Sequence, residues 1–373
     1  MSHLKFMRRA LALARRGYGQ TSPNPLVGAV LVRDGIVIGE GYHIYKRCHH
    51  AEALALNQAA ERARGATLYV NLEPCSHQGR TPPCAELLIQ AGIRRAFVSL
   101  RDPNPLVAGR GLQRLKEAAV EIQEGLCRDK AERLNEAFLH FIHTGRPFVI
   151  LKLAMTLDGR IATRQGDSKW ITAPGARRRV HRLRYGCDAI LVGAETILQD
   201  NPSLNVRWTR RNPIAKVVLD SRLRTPPNAR LFDSRDPVWL FHAENAPSAP
   251  RKAYPSGSEL IPVSHHGQGL NWQEIMDELG KRRCLSLMIE GGRQVAASAL
   301  KSGLVQKVEF YYGPRIIGAD GLPAVGQMGF DRLQDSLRLE RLSTRRIGSD
   351  FVVEGYLVQP QSGFRAKPQS RKA

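Results

Sequence analysis

The chain has 373 residues, 42% hydrophobic and 24% charged, a globular balance that excludes global disorder and suggests two domains or more. Lys and Arg outnumber Asp and Glu by 56 to 34, a formal charge of +22, which predicts anionic partners without choosing among phosphates, nucleotides and nucleic acid. No apolar run approaches ~18 residues, so no membrane span is expected, and six cysteines are too few for a disulfide scaffold.

Leu4, Met7, Leu11 and Ala14 recur at helical spacing, so the first segment reads as a folded amphipathic helix rather than a cleaved presequence. The expected compartment is then the reducing cytoplasm. Val27–Val32 and Ile36–Gly41 flank an Arg-Asp-Gly turn and predict a hairpin. Helix is expected over Glu52–Arg64, strand over Thr67–Leu72, helix over Pro82–Ala91 and strand over Ala96–Leu100. Leu112–Ala119, Val120–Glu124 and Lys130–His143 continue as helix, strand and helix, a βαβ rhythm around one sheet. Thr144-Gly145-Arg146-Pro147 marks a boundary between residues 1–145 and 146–360. Beyond it, strands are expected at Phe148–Leu153, Ala189–Val192, Ala215–Leu219, Val238–Phe241, Leu285–Ile289 and Val308–Tyr312. Helices are expected at Pro174–Tyr185, Trp272–Lys281 and Gln294–Ser302. Residues 243–258 read as a loose loop, and 361–373 as a basic, disordered tail.

His50-Ala51-Glu52 opens a predicted helix, Pro74-Cys75 is expected to end a strand, and Cys84 falls in the first turn of a helix with Thr81 as its N-cap. One imidazole and two thiolates suit a catalytic zinc, which keeps three protein ligands and an open position for water. Glu52, two residues from a ligand, is placed to carry protons between that water and a substrate. This H-x-E…P-C…C order is the signature of zinc nucleobase deaminases. Eight residues separate the cysteines, where nucleobase deaminases usually have two. Arg80, in that loop, reads equally as a phosphate contact or a solvated charge. His49 reads as a surface or neighbouring residue. Cys48, Cys127, Cys187 and Cys284 read as buried structural thiols.

Glu73–Cys84 (EPCSHQGRTPPC), Ser22–Gly28, Asp102-Pro103-Asn104-Pro105 and Gly109-Arg110-Gly111 closely resemble the bifunctional riboflavin-biosynthesis deaminase/reductase family. The resemblance runs to about residue 358. It implies an α/β protein, with an N-terminal cytidine-deaminase-like αβα domain followed by a dihydrofolate-reductase-like α/β domain. It implies hydrolytic removal of the 2-amino group of 2,5-diamino-6-(5-phosphoribosylamino)pyrimidin-4-one, with a zinc-activated water attacking C2. NADPH reduction of the ribosyl to the ribityl side chain would follow. It places Asn24 against the substrate, although a plain Asx turn before Pro25 is the simpler local reading.

The second half has no G-x-G-x-x-G after a strand, so a Rossmann site is not expected. Leu287–Gly292 (LMIEGG) instead runs a strand into glycines at a helix N-terminus, which suits a phosphate. Lys152–Ile161, Ser168–Thr172 and Gly193–Thr196 with Asp200-Asn201-Pro202 resemble the reductase half of the same family. By that resemblance NADPH contacts fall at Ala154, Trp170, Thr196, Asp200, Ser221, Gly292, Arg293, Gln294, Val295, Ala296, Ala297 and Ser298. Substrate contacts fall at Ser168, Arg184, Leu204, Arg207 and Glu290. Arg177, Arg178, Arg179 and Arg182 read as a solvated helical face. Self-association through the reductase half is also implied.

Two other classes compete. A nucleic-acid deaminase would explain the charge, but not the long inter-cysteine loop or the second domain. A structural zinc scaffold would ordinarily show four protein ligands, and three are found.

Overall fold

The computed structural model describes residues 3–78, 81–105, 107–207, 213–246, 254–266 and 269–358. Arg80 and the tail expected at 361–373 lie outside the described residues, as do 247–253 of the expected loop.

In the first half, the elements in chain order are α1 (His3–Arg16), β1 (Gly28–Arg33), β2 (Ile36–Tyr42), α2 (Ala51–Ala59), β3 (Thr67–Val70), α3 (Cys84–Gln90), β4 (Arg95–Val98), α4 (Arg110–Glu117), β5 (Glu121–Glu124), α5 (Arg128–Leu134) and α6 (Glu136–Thr144). The sheet order is β2-β1-β3-β4-β5. β1 runs antiparallel to both neighbours, and β3, β4 and β5 are parallel. Fully buried Leu31, Leu68, Val70, Leu88 and Leu115 fill one face of this sheet. Phe6, Met7, Leu11 and Phe97 fill the other, so Met7, Leu11 and Ala14 of the periodic face of α1 are core, whereas Leu4 at its start is exposed. Each such side chain contributes about 1.5–3 kcal/mol by leaving water.

In the second half follow β6 (Phe148–Thr156), β7 (Arg160–Ala162), α7 (Pro174–Gly186), β8 (Ala189–Gly193), α8 (Ala194–Asp200), β9 (Ala215–Leu219), β10 (Val238–Ala243), β11 (Ser258–Val263), β12 (His265–His266), β13 (Gly269–Leu270), α9 (Trp272–Lys281), β14 (Ser286–Ile289), α10 (Arg293–Lys301), β15 (Lys307–Gly313), β16 (Leu322–Pro323), β17 (Leu339–Ile347) and β18 (Asp350–Leu357). Nine strands form one sheet, ordered β11-β10-β9-β8-β14-β6-β15-β18-β17. It is parallel from β11 to β15 and closes with an antiparallel hairpin. Apolar clusters cover both faces, as a mostly parallel sheet requires.

Four expectations need correction. The helix expected over Lys130–His143 is broken at Asn135, whose carboxamide leaves the helix to accept from Leu26 N (2.8 Å) and donate to Leu26 O (3.0 Å). The helix expected to reach Arg64 ends at Ala59, because Ala60 turns to φ 51° and a short 3₁₀ turn follows. Thr81 does not cap α3. Pro83 is the N-cap, at φ −58° and ψ 129° and without a side-chain cap bond; Thr81 and Pro82 each precede a proline and are driven out of the helical region, so the helix cannot start before Pro83. Cys75 lies in the loop beyond β3, which ends at Val70.

Candidate active sites

The loop after β3 and the N-termini of α2 and α3 converge on one point. His50 is the N-cap of α2, Glu52 lies in its first turn, and Cys84 is the first residue of α3. His50 Nδ1 lies 3.2 Å from Cys84 Sγ and 3.4 Å from Cys75 Sγ, and the Cys84 backbone N–H donates to Cys75 Sγ at 3.4 Å. All three ligand atoms lie within 4.8 Å of one another. The hydrogen bond from Cys84 lowers Cys75 to about 4, and Cys84 itself is held well above the ordinary thiol value. One imidazole and two sulfurs, one already disposed to thiolate, fit zinc in both identity and spacing. The Glu52 side chain is buried, and burial pushes its carboxyl up to about 7 against the pull of His50.

A cavity of about 330 Å³ opens over this group, lined also by Asn24, His43, His77, Asp102 and Phe138. Asn24 Nδ2 donates to His43 Nε2 (3.0 Å), while His43 Nδ1 donates to the carbonyl of His49 (3.0 Å). His43 is buried and meets the His50 ring edge-on at 5.5 Å, so it fixes both the Asn24 amide and the ligand ring. Sequence reading missed His43, because a histidine just after a strand carries no local signal. It also passed over Glu73. This buried carboxylate accepts from the backbone N–H groups of Asp102 (3.1 Å), Gly109 (3.0 Å), Gly111 (2.9 Å) and Leu112 (3.2 Å). It thereby ties the cysteine loop to the two downstream motifs. A Cβ at Gly111 would stand 1.9 Å from Pro74 O, so only glycine permits that approach.

His49 is exposed and contributes its carbonyl. Cys187 and Cys284 are buried as expected, but Cys48 and Cys127 are only partly so. Those two occupy left-handed turns at φ 61° and 62°, at the surface ends of short elements.

In the second half, Glu290 follows β14 and is buried between two cations. It pairs with Arg184 of α7, with Nη2 to Oε2 at 3.1 Å, and with Lys152 of β6 at 3.3 Å. Burial opposes its charge, yet Arg184 and Lys152 hold it down to about 2. Arg184 also donates to Asn205 O (3.1 Å), in the segment carrying Leu204 and Arg207. His181, one turn before Arg184, is pushed down to about 4, first by burial and then by Arg184 and Arg207. Two cations against one carboxylate, with Arg207 close enough to act on His181, leave an excess of positive charge that suits a phosphate. Lys152 and His181 were not singled out in the sequence. Leu204 is buried in the apolar core at φ 52°, Arg207 is exposed and Ser168 is half-buried.

The residues expected to meet NADPH divide. Gly193, Gly291 and Gly292 bring the starts of α8 and α10 together. A Cβ at Gly193 or Gly291 would strike Val295 at 2.7 or 2.6 Å, and one at Gly292 would face Thr196 Oγ1 at 3.9 Å. The first N–H groups of the nine-residue helix α10 have no partner within the helix, so this glycine cradle fits a cofactor phosphate. Arg293 and Gln294 are exposed, whereas Ala296 and Ala297 are buried in the core and Ser298 Oγ accepts from Trp272 Nε1 (2.7 Å). Ala154 and Ser221 are half-buried. Asp200 is exposed, 3.9 Å from Lys169 Nζ. Trp170 is 60% exposed, and the Arg177 guanidinium lies over its ring at 4.3 Å. Arg178 and Arg182 are solvated as expected, but Arg179 turns inward to buried Glu309 (3.0 Å).

Fold and sites together define a zinc-dependent deaminase joined to an NADPH-dependent reductase. Residues 1–100 match the model of the cytidine and deoxycytidylate deaminase zinc-binding region, and residues 147–353 match the RibD C-terminal domain. The riboflavin biosynthesis protein RibD of Actinobacillus pleuropneumoniae is 41% identical, over 96% of each chain, and that of Synechocystis is 44% identical, over 94% of this chain and 95% of the relative. Among solved structures, Acinetobacter baumannii RibD superposes with a TM-score of 0.86 at 35% identity, covering 95% of this chain and 99% of the other. A Thermotoga maritima diaminohydroxyphosphoribosylaminopyrimidine deaminase/5-amino-6-(5-phosphoribosylamino)uracil reductase gives 0.84 at 35% identity, covering 95% and 98%. The chain belongs to the RibD family, the bifunctional deaminase/reductases of riboflavin biosynthesis. Among the described residues no helix is long and apolar enough to cross a membrane.

Proposed function

We propose the following assignment of residues to the two reactions, with the division between halves at residues 145 and 146. The observation that carries it is the convergence of His50, Cys75 and Cys84 beside buried Glu52, at the base of a cavity. Zinc, when bound by those three residues, lowers the pKa of its water toward about 7. Glu52, whose own value lies near neutrality, would carry one proton from the water to the pyrimidine ring nitrogen and then a second from the added hydroxyl to the amino group, which leaves as ammonia. Asn24, oriented by His43, holds the pyrimidine, and Glu73 keeps the cysteine loop fixed on the 102–112 segment.

For the reductase, the glycine cradle at Gly193, Gly291 and Gly292 with Thr196 receives NADPH, which supplies the hydride. Arg184 and Arg207 fork onto the ribose phosphate, and Ser168 and Glu290 orient the sugar. Lys152, paired with Glu290, lines the same site. We place the protein in the cytoplasm, self-associated through the reductase half. The purified chain given 2,5-diamino-6-(5-phosphoribosylamino)pyrimidin-4-one should release ammonia first and consume NADPH second. NADPH consumption without prior ammonia would refute the order, and release of neither product would refute the assignment.

A further inference from the structure

We propose that Arg283, a residue of the reductase half, completes the deaminase pocket and binds the phosphate end of its substrate. The inference rests on the deaminase reading above. Among the described residues lining the cavity over His50 and Glu52, the permanent cation is Arg283, and the others are neutral, acidic or imidazole; Arg80 of the inter-cysteine loop lies outside the described residues and could add a second cation to the same phosphate. A phosphate monoester is close to dianionic at neutral pH, and a guanidinium fork matches its oxygens. The Arg283 side chain is exposed, and no ion pair holds it among the described residues.

Its placement is built in. α9 ends at Lys281, and Arg283 turns the chain at φ 59°, its N–H donating to Gly280 O (2.8 Å). Glycine or asparagine suits that left-handed position, so the turn itself does not call for a long cationic side chain. The turn is anchored on both sides. Gly280 packs so closely on the interdomain turn that a Cβ there would stand 2.1 Å from Gly145 O, and Arg146 pairs with Asp277 of α9 (2.6 Å). Two residues after Arg283, Leu285 is buried in the apolar cluster of the first half, together with Phe138. Phe138 itself lines the cavity. The reductase segment is thus plugged into the deaminase core, with Arg283 held at the pocket's edge.

In the full chain, Arg283→Gly fits the left-handed backbone and removes the guanidinium. It should raise the deaminase KM for the phosphorylated substrate on the order of 10- to 100-fold, the scale of a lost charged hydrogen bond. Zinc content, deaminase kcat and reductase KM should stay at wild-type values, and Arg283→Lys should recover part of the loss. With the dephosphorylated ribosylaminopyrimidine as probe, Arg283→Gly and wild type should share one KM. An unchanged KM on the phosphorylated substrate, or an equal rise on both substrates, would overturn the proposal. A wild-type chain that released no ammonia from either substrate would instead sink the deaminase reading, and this proposal with it.

Discussion

Glu52→Gln is expected to reduce ammonia release by about 100- to 10,000-fold, while zinc stays bound and reduction of the deaminated intermediate by NADPH proceeds at the wild-type rate. The loss is the contribution of a positioned proton carrier. Glutamine keeps the size and hydrogen-bonding reach of the side chain but cannot take up and release a proton. Because Glu52 sits in the first turn of α2 and is not one of the three converging ligands, the metal centre should persist. Ammonia kinetics, metal content and NADPH consumption on the same preparation separate the three quantities. Near-normal deamination by this variant would show that the proton moves through another group.

Glu290→Gln should have the largest effect on stability. It leaves Arg184 and Lys152 without their counter-charge in a buried place, and breaking such a pair by removing one partner costs about 3–5 kcal/mol. For a domain of this size that lowers Tm on the order of 10 °C. The pH dependence follows from the same pair. The folded carboxyl lies near 2, below its ordinary value of 4.5, so its contribution is fully present above about pH 5 and is lost as the pH falls toward 2. The difference in urea midpoint between wild type and Glu290→Gln should therefore narrow on acidification from pH 7 to about pH 3. A gap independent of pH would mean that packing, not charge, carries the loss.

What was legible in the sequence is what is encoded locally. The zinc triad and Glu52 sit at the ends of consecutive elements, so short motifs specify them. The apolar runs of β1, β3, β8 and β9 announced the sheets, because buried strands must be apolar. β17 gave no such signal. Its residues are almost all exposed and include Arg341, Arg345 and Arg346, so neither face carries an apolar period. The α5–α6 break was hidden because Asn135 leaves the helix for Leu26, more than a hundred residues earlier. Lys152 and Arg283 act across similar separations, and Glu73 and His43 meet partners outside their own elements, which no local pattern records. The Arg179 reading failed for the same reason, since its partners Glu309 and Glu354 come from strands far along the chain. The Thr81 cap failed through a local rule applied incompletely, as Pro83 directly after Pro82 keeps Pro82 out of the helical region and moves the start of α3 to Cys84.

Zinc stoichiometry followed through chelation and readdition, with both activities measured at each stage, tests the central claim most directly. The account predicts one zinc per chain, deaminase activity lost with the metal and restored by Zn²⁺, and NADPH-dependent reduction that persists throughout. Full deamination by protein stripped of divalent metal would contradict it.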